Sequence, residues 1–459
     1  MKNPIFLILA LFTLFSCGDD DGGDSMQEPS TFTVTIENVG SAYPFYQGGI
    51  FNTPVGASDP APLLPGEDDM YQFTFHAGNP YLPGTPLKVS FATMLVASND
   101  LFFAPKGTGI SLYDDNGDPI TGDVTDQIYL WDAGTEVNRM PGSTDQPGPN
   151  NDPTGTGTSE SENVTLLEEM DNVIPVTVIN TEGGSSTYNY PAVSEMIKVT
   201  LTNDGTEFTL TVENMSGGEF SSPLSPGGFV VHTADNPLFE AGMMAMDNGL
   251  EEIAEDGMPG ELESYLDGKI GIIAPLSPGV WAVHNGSSMP LFEMGAADYG
   301  DGLEHIAEDG NATPLGAAAA DRDGVIEAAI FNTPNGSSAA GPATPGNSFS
   351  FTFDASPGDY LSFATMFAQS NDWFYGFGDM GLALFNGETP VTGDVTSSVM
   401  LFDVGTEEDE YPGAGPTQVI RQGGSDIGPA DDDNMVRTVT SSGIIPATSQ
   451  QIKVTISVN

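Results

Sequence analysis

The sequence contains little cysteine, little positive charge and few long hydrophobic runs. Its single cysteine, Cys17, excludes an intramolecular disulfide. Ten Lys and Arg residues face 65 Asp and Glu residues, which gives a formal net charge of −55. Such a surface repels nucleic-acid phosphates and anionic lipid headgroups, so we expect neither as a partner. Divalent cations suit it better, because hard cations bind carboxylate oxygens.

Recognisable catalytic motifs are missing as well. The chain has four histidines, and no Ser-His-Asp order, glycine-rich phosphate loop or two-histidine metal motif stands out. Nothing marks two of the many carboxylates as a glycosidase pair. We therefore predict that the protein is not an enzyme, and we assign no catalytic residue. A pocket that holds paired acids, one of them with a raised pKa, would favour an enzyme instead.

The longest apolar run lies at the start of the chain, from Ile5 to Phe15. It is too short to span a bilayer and fits the hydrophobic region of a signal peptide. The run ends in LFSC, which resembles the lipobox of bacterial lipoproteins. We therefore predict a lipoprotein signal peptide over residues 1–17, with Cys17 as the lipidated residue. The alternative is an ordinary signal peptide with an incidental cysteine.

An acidic stretch, GDDDGGD, follows Cys17 directly. It resembles the surface-export signal of lipoproteins in Bacteroidetes-like bacteria, and residues 18–29 are predicted to be a flexible acidic tether. We expect an exported protein that is anchored to the bacterial outer membrane and faces outward. It would contact the membrane only through its lipid.

The rest of the chain is rich in short β-strand patterns. The runs FTVTIEN and YQFTFHA alternate polar and apolar residues, and turn residues separate such runs. A length of 459 residues favours two or three domains. We predict an all-β fold of two tandem antiparallel β-sandwiches, with short accessory helices mainly in the second.

Internal repeats set the predicted domain boundaries. TFTVTIENVG at 31–40 matches EFTLTVENMS at 207–216. We therefore place the first domain at 30–204 and the second at 205–459. The first domain is predicted to be an incomplete copy, because a helical segment is present only in the second.

That helical segment is itself duplicated, at 220–268 and 272–318. Each unit contains the phrase GLExIAEDG, in which Leu, Ile and Ala form one apolar stripe on a short helix. Packing of the unit at 220–268 on the first domain is an alternative to packing on the second.

Two sets of acidic residues have matching spacings. In each set an Asp follows an apolar run, and an Asp and a Glu four residues apart follow about thirty residues later; the two sets are Asp100, Asp132 and Glu136, and Asp372, Asp403 and Glu407. If the strand ends that carry them are neighbours, three carboxylates meet at one edge of each sandwich. Such a group is costly without a cation, and Ca²⁺ takes six to eight oxygens. The alternative is a hydrogen-bonded turn in which Asp132 caps amides beyond Gly134.

These motifs also resemble a known family. The phrases FATMLVASNDLFF and WDAGTE, with FATMFAQSNDWFYGF and FDVGTE, resemble the spondin N-terminal domain of F-spondin-like and mindin-like matrix proteins and of many bacterial secreted proteins. The resemblance covers most of 206–459 and, less completely, 30–204. It implies a β-sandwich with one Ca²⁺ per domain, held by the six acids named above. The second domain is the stronger candidate for calcium binding. It has Trp373 at a position where the family also has tryptophan, whereas the first copy has Leu101 there.

The resemblance implies binding or adhesion, with a matrix or cell-surface glycan or protein as partner. The sequence does not identify that partner. A carbohydrate-binding accessory protein of a surface glycan-uptake system is the alternative function. Solvent-exposed Trp131 and Trp373 on one rim would favour this alternative, and buried ones would count against it.

Overall fold

The structure, a computed structural model, describes residues 29–459 except 42, 67–68, 79–86, 148–156, 181 and 440–444. The predicted signal peptide with Cys17, and the tether up to residue 28, lie outside the described residues. Nowhere in the described part of the chain is a helix long and apolar enough to cross a membrane.

Strands dominate the structure, and the helices are short. The strands up to His232 are β1 (Ser30–Asn38), β2 (Gln47–Phe51), β3 (Met70–His76), β4 (Lys88–Leu95), β5 (Leu101–Pro105), β6 (Ile110–Ser111), β7 (Gly122–Asp123), β8 (Ile128–Asp132), β9 (Thr165–Leu166), β10 (Val173–Ile179), β11 (Ser185–Pro191), β12 (Ile197–Asp204), β13 (Glu207–Asn214) and β14 (Leu224–His232). The later strands are β15 (Leu276–Asn285), β16 (Val325–Phe331), β17 (Ser348–Ala355), β18 (Asp359–Phe367), β19 (Trp373–Gly376), β20 (Leu382–Ala383), β21 (Phe385–Asn386), β22 (Thr389–Pro390), β23 (Gly393–Asp394), β24 (Met400–Asp403), β25 (Arg437–Thr438) and β26 (Ile452–Val458). The α-helices are α1 (Val193–Met196), α2 (Leu250–Asp256), α3 (Gly260–Leu266), α4 (Leu303–Asp309), α5 (Thr313–Ala320) and α6 (Thr448–Gln451). Short 3₁₀ turns occupy Thr125–Gln127 and Thr396–Ser398.

The strands form two sandwiches of the same design, as the alternating sequence pattern predicts. In the first, a sheet in the order β3-β13-β12-β7 faces a larger sheet in the order β2-β14-β4-β5-β8-β9. In the second, the order β17-β1-β26-β23 faces the order β16-β15-β18-β19-β24-β25. Apolar side chains from both sheets meet in each core, for example Phe73, Phe91 and Leu210 in the first sandwich. The predicted antiparallel all-β fold is confirmed.

The predicted division of the chain between the two sandwiches needs correction. Strand β1 pairs with β17 and β26 and therefore belongs to the second sandwich. Strand β13 pairs with β12 and β3 in the first. The boundary predicted at 204/205 falls in the β12–β13 hairpin, where Asp204 pairs with Glu207 and Gly205 has φ +61°. A two-residue hairpin loop keeps its strands adjacent in one sheet, so no domain boundary can lie there.

The accessory helices are shared between the sandwiches rather than lying mainly in the second. Helix α2 packs on β4 and α3 packs on β2, so the unit at 220–268 belongs to the first sandwich. Helix α4 packs on β18 in the second sandwich. The predicted stripe on α2 is buried: Leu250, Ile253 and Ala254 lie against Phe102 and Trp131. With this unit in place, the first sandwich is a complete copy of the second, which corrects the predicted incomplete copy.

Candidate metal centre

The paired acids lie at neighbouring strand ends in both sandwiches. Asp100 directly precedes β5, and Asp132 is the last residue of β8. These strands are adjacent, with Leu101 opposite Asp132 in the register. In the second sandwich, Asp372 and Asp403 stand in the same relation to β19 and β24. The predicted convergence of these strand ends is therefore confirmed.

A tight turn after each second Asp orients its side chain. Gly134 has φ +70° and Gly405 has φ +76°, a backbone conformation that a side chain disfavours. Asp132 Oδ1 accepts a hydrogen bond from Gly134 N at 2.9 Å, and Asp403 Oδ1 accepts one from Gly405 N at 2.6 Å. The turn-capping role that sequence analysis offered as the alternative is thus present. It uses one oxygen of each carboxylate and leaves the other for a second partner.

The first Asp of each pair is fully buried and only half satisfied. Asp100 Oδ2 accepts hydrogen bonds from Thr135 N at 2.8 Å and from Glu136 N at 3.0 Å. Asp372 Oδ2 accepts the equivalent bonds from residues 406 and 407, at 2.8 and 3.2 Å. Both Asp100 Oδ1 and Asp372 Oδ1 are buried without any hydrogen-bond partner. An unpartnered buried carboxylate oxygen is costly, so each of these atoms calls for a ligand.

Burial and mutual repulsion disfavour the charged form of these acids. Burial raises the pKa of Asp100 to about 8, and the Asp132 carboxylate adds to the shift. Burial raises the pKa of Asp403 to about 7, with further contributions from Asp372 and Asp409, although the Arg437 guanidinium opposes the shift. A cation between the carboxylates would reverse both effects by favouring ionisation.

The two predicted glutamates are not among the acids that lie closest together. Glu407 Oε1 accepts a hydrogen bond from Gly428 N at 2.7 Å, and its Oε2 accepts one from Asn371 Nδ2 at 3.3 Å. The acids whose carboxylate oxygens lie within 4.8 Å of one another are Asp372, Asp403 and Asp409. We define the second centre as these three aspartates; Glu407 lies near it, since the Asp372 charge adds to the effect of burial in raising the pKa of Glu407.

The first centre contains two aspartates, Asp100 and Asp132. Among the described residues of the first sandwich, no three acids bring their oxygens within 4.8 Å of one another. Glu136 is 4% exposed, and its Oε2 accepts a hydrogen bond from Asn99 Nδ2 at 3.3 Å. Asn138 stands where the second sandwich has Asp409, at the repeat offset of 271 residues. Its Nδ2 donates to Asp132 Oδ2 at 2.6 Å.

An arginine completes the second centre. Arg437 Nη2 lies 2.5 Å from Asp403 Oδ2 and 2.6 Å from Asp431 Oδ2. Arg437 is opposite Asp403 in the strand register, and Thr165 is the residue opposite Asp132 in the first sandwich. The second centre thus carries one more carboxylate and one more guanidinium than the first.

A glutamate from the accessory helix approaches each centre. Glu308 on α4 accepts a hydrogen bond from Thr406 Oγ1 at 2.6 Å through its Oε1. Glu255 is at the equivalent position of α2, and the charges of Glu136 and Glu251 add to the effect of burial on its pKa. Burial raises the pKa of Glu308 to about 8 and that of Glu255 to about 7. The duplicated helical unit therefore supplies each centre with an additional acid.

Four residues at or near these centres were not predicted from the sequence: Asp409, Arg437, Glu255 and Glu308. The repeated phrase IAED contained a signal, because its Glu recurs at the same place in both units. Arg437 also stood out as one of only ten basic residues in the chain. Asp409 had no such signal, because the first copy has Asn138 at that position.

The available donors match a hard divalent cation. Each centre offers an unpartnered Asp Oδ1 and further carboxylate oxygens nearby, and oxygen ligands are those that Ca²⁺ prefers. Three carboxylates form the second centre, where Arg437 is shared between Asp403 and Asp431, and two carboxylates form the first, so each centre has an excess of negative charge. Either centre therefore suits one divalent ion.

A scan of the chain against protein-family models found no match, and a search of curated proteins found none either. The resemblance to the spondin N-terminal domain therefore stays a prediction.

Proposed function

We propose that the protein is a calcium-binding, surface-anchored lipoprotein that acts as a non-catalytic binding or adhesion module. Each sandwich would hold one structural Ca²⁺ at its carboxylate centre. In the first sandwich the ion would connect the loop before β5, which carries Asp100, with the turn after β8. In the second it would connect the loop before β19, which carries Asp372, with the turn after β24. A rim fixed in this way would present a rigid surface to a matrix or cell-surface glycan or protein.

The observation that carries the proposal is the half-satisfied burial of Asp100 and Asp372. Each is 0% exposed, and each leaves Oδ1 without a partner while amides hold Oδ2. The same feature occurs in both sandwiches, beside a second Asp in each. A Ca²⁺ ion is the simplest ligand that accounts for an acceptor-only group in such surroundings.

Thermal unfolding of the purified chain, in millimolar Ca²⁺ and in chelator, tests this proposal. Calcium at a hundred times its dissociation constant should stabilise each sandwich by roughly 2.7 kcal/mol. For domains of this size the midpoint should rise by about 5–10 °C. Asp132→Ala should abolish the shift of the first sandwich alone, and Asp403→Ala that of the second alone. A wild-type chain that unfolds at the same temperature in both buffers would contradict the proposal.

The burial of two tryptophans counts against the carbohydrate-binding alternative. Trp131 is 2% exposed and Trp373 is 5% exposed, so neither ring is free to stack on a sugar. Trp131 Nε1 donates to Ala104 O, and Trp373 Nε1 donates to Asp409 Oδ1. A glycan partner would have to bind elsewhere.

An enzyme is the second candidate, and one observation favours it. A cavity of about 460 Å³ is lined by Asp403, Asp409 and Arg437, and burial raises the pKa of Asp403. Paired acids in a pocket with one raised pKa are typical of carboxylate-based hydrolysis. The first centre has a raised Asp pKa as well, so close burial of carboxylates accounts for the shift without catalysis. Turnover of a glycoside substrate that disappears in Asp403→Asn would favour the enzyme.

A further inference from the structure

A second group of acids lies near the second centre and includes Glu308 of helix α4. Glu304, Glu308 and Asp426 each place one carboxylate oxygen within 4.8 Å of the others. Glu304 and Glu308 are one helical turn apart on α4, and Asp426 comes from the loop before β25. Burial raises the pKa of Glu304, and Asp426 is the nearby charge that contributes most. Three carboxylates in this arrangement repel one another.

Glu308 supplies independent evidence that this group has a ligand. The residue is 3% exposed, and its Oε1 accepts the hydrogen bond from Thr406. Its Oε2 is buried with no hydrogen-bond partner. A half-satisfied buried carboxylate next to two other carboxylates has the same character as Asp100 and Asp372 in the proposed centres.

The base nearest to this group is His305, which opposes the rise that burial causes in the pKa of Glu304. In the described part of the chain, no salt bridge joins Lys or Arg to Glu304, Glu308 or Asp426. The loop that carries Asp426 is nevertheless attached to the helix. Gln422 Nε2 donates to Asp309 Oδ1 at 2.9 Å, which holds the loop against the end of α4. In the described part of the chain, the three acids are therefore kept together without a lysine or arginine ion pair.

We propose that Glu304, Glu308 and Asp426 form a second divalent-cation site of the second sandwich, with Ca²⁺ as its ligand. Glu308 would lie between the two ions, because its surroundings include both Asp372 and Glu304. The site would clamp the 418–428 loop onto the accessory helix. It goes beyond the proposed function, which needs ions only at the two centres of paired aspartates.

The first sandwich provides the substitution that tests the site. Its helix carries Glu251 and Glu255 in place of Glu304 and Glu308, but residue 155 is glycine at the 271-residue offset from Asp426. Asp426→Gly therefore changes the second sandwich to the sequence of the first at that position. Asp426 has φ +55°, so glycine fits its backbone conformation. Asp432→Asn removes an exposed acid of the same loop and serves as the matched control.

Bound calcium per chain is counted by equilibrium dialysis of the full chain against Ca²⁺, at an ionic strength that suppresses weak surface binding. We expect Asp426→Gly to bind one ion fewer than wild type, and Asp432→Asn to bind as many as wild type. Glu304→Gln should reproduce the loss, with circular dichroism confirming that each variant is folded.

The proposal fails if Asp426→Gly and Glu304→Gln retain the wild-type count. Failure of the proposed function has a different signature, in which Asp100→Asn and Asp372→Asn retain the wild-type count. A chain that binds no calcium at all overturns both.

Discussion

In the first sandwich Asp132 accepts a hydrogen bond from Asn138, whereas in the second the equivalent Asp403 lies beside Asp409 and Arg437. The second sandwich has gained one acid and one base at positions that contact the same aspartate. Both centres keep an excess of negative charge, although their side chains differ and Arg437 is shared with Asp431. The two copies therefore share the excess negative charge of the centre rather than its third side chain.

The two centres should differ in how they respond to the loss of their ion. Arg437 already compensates part of the charge on Asp403, and no Lys or Arg of the described residues forms a salt bridge with Asp100 or Asp132. The first sandwich should therefore depend more strongly on a bound cation. The predictions that follow test this difference, beginning with the largest effect.

Calcium removal should destabilise the first sandwich more than the second. We expect the midpoint of the first to fall by about 5–10 °C in chelator and that of the second to fall less. Hydrogen exchange of β5 and β8, compared with β19 and β24, measures the two responses in one sample. An equal loss of hydrogen-exchange protection in both strand pairs would show that the two sandwiches depend equally on calcium and would contradict this prediction.

Without calcium, stability should fall as the pH rises. The pKa of Asp100 is raised to about 8, above its ordinary value near 4 in the unfolded chain. The folded state therefore binds more protons than the unfolded state, and stability is lost between about pH 4 and pH 8. We expect a drop of roughly 5 °C in the first sandwich between pH 5 and pH 8, measured by calorimetry.

The second sandwich should respond to pH in the same direction. Burial raises the pKa of Asp403 to about 7 and that of Glu308 to about 8, so the stability of the second sandwich should also fall as the pH rises towards 8. Asp100→Asn should flatten the response of the first sandwich alone. A slope that survives this substitution would assign the effect to the general charge of the chain.

Arg437→Thr should make the second centre depend on calcium as the first does. The substitution leaves Asp403, which is 2% exposed, without its guanidinium, at a cost of about 1–3 kcal/mol. In chelator we expect the midpoint of the second sandwich to fall by about 4 °C, and calcium should restore more of it than in wild type. Thr165→Arg in the first sandwich is the reciprocal control and should reduce the calcium response there.

Asp409→Asn should produce the smallest change, because it alters one ligand and leaves Arg437 in place. The centre then carries one negative charge fewer, and calcium affinity should fall by about tenfold. The Trp373 Nε1 bond to Asp409 makes tryptophan fluorescence a local reporter of this titration. Asn138→Asp should have the opposite effect in the first sandwich. Unchanged affinity in Asp409→Asn would exclude that residue from the centre.

Much of the fold could be predicted, because a two-residue period marks strands and a repeat marks copies. The assignment of strands to sandwiches could not be read from that repeat. TFTVTIENVG and EFTLTVENMS have the same pattern, so hydrophobicity does not indicate which sandwich each one joins. The Asp204–Gly205 turn did contain the information, since a two-residue hairpin keeps β12 and β13 in one sheet.

The aspartates of the centres could be predicted for a similar reason. Asp100 and Asp132 follow apolar runs, and antiparallel neighbours bring such ends together. The spacing of residues along the sequence does not determine which way a side chain points after a turn. Glu407 Oε1 accepts a hydrogen bond from Gly428 N, and Asp409 is the third acid of the closest group. Arg437 reached Asp403 through strand pairing across about thirty residues, which no local pattern records.

Calorimetric titration of calcium into wild type, Asp100→Asn and Asp372→Asn tests the central claim most directly. These substitutions keep the size of the side chain and remove the charge from the two half-satisfied aspartates. We expect Asp100→Asn to lose only the calcium site of the first sandwich, and Asp372→Asn to lose only that of the second. Wild-type binding in both variants, or no binding in wild type, would contradict it.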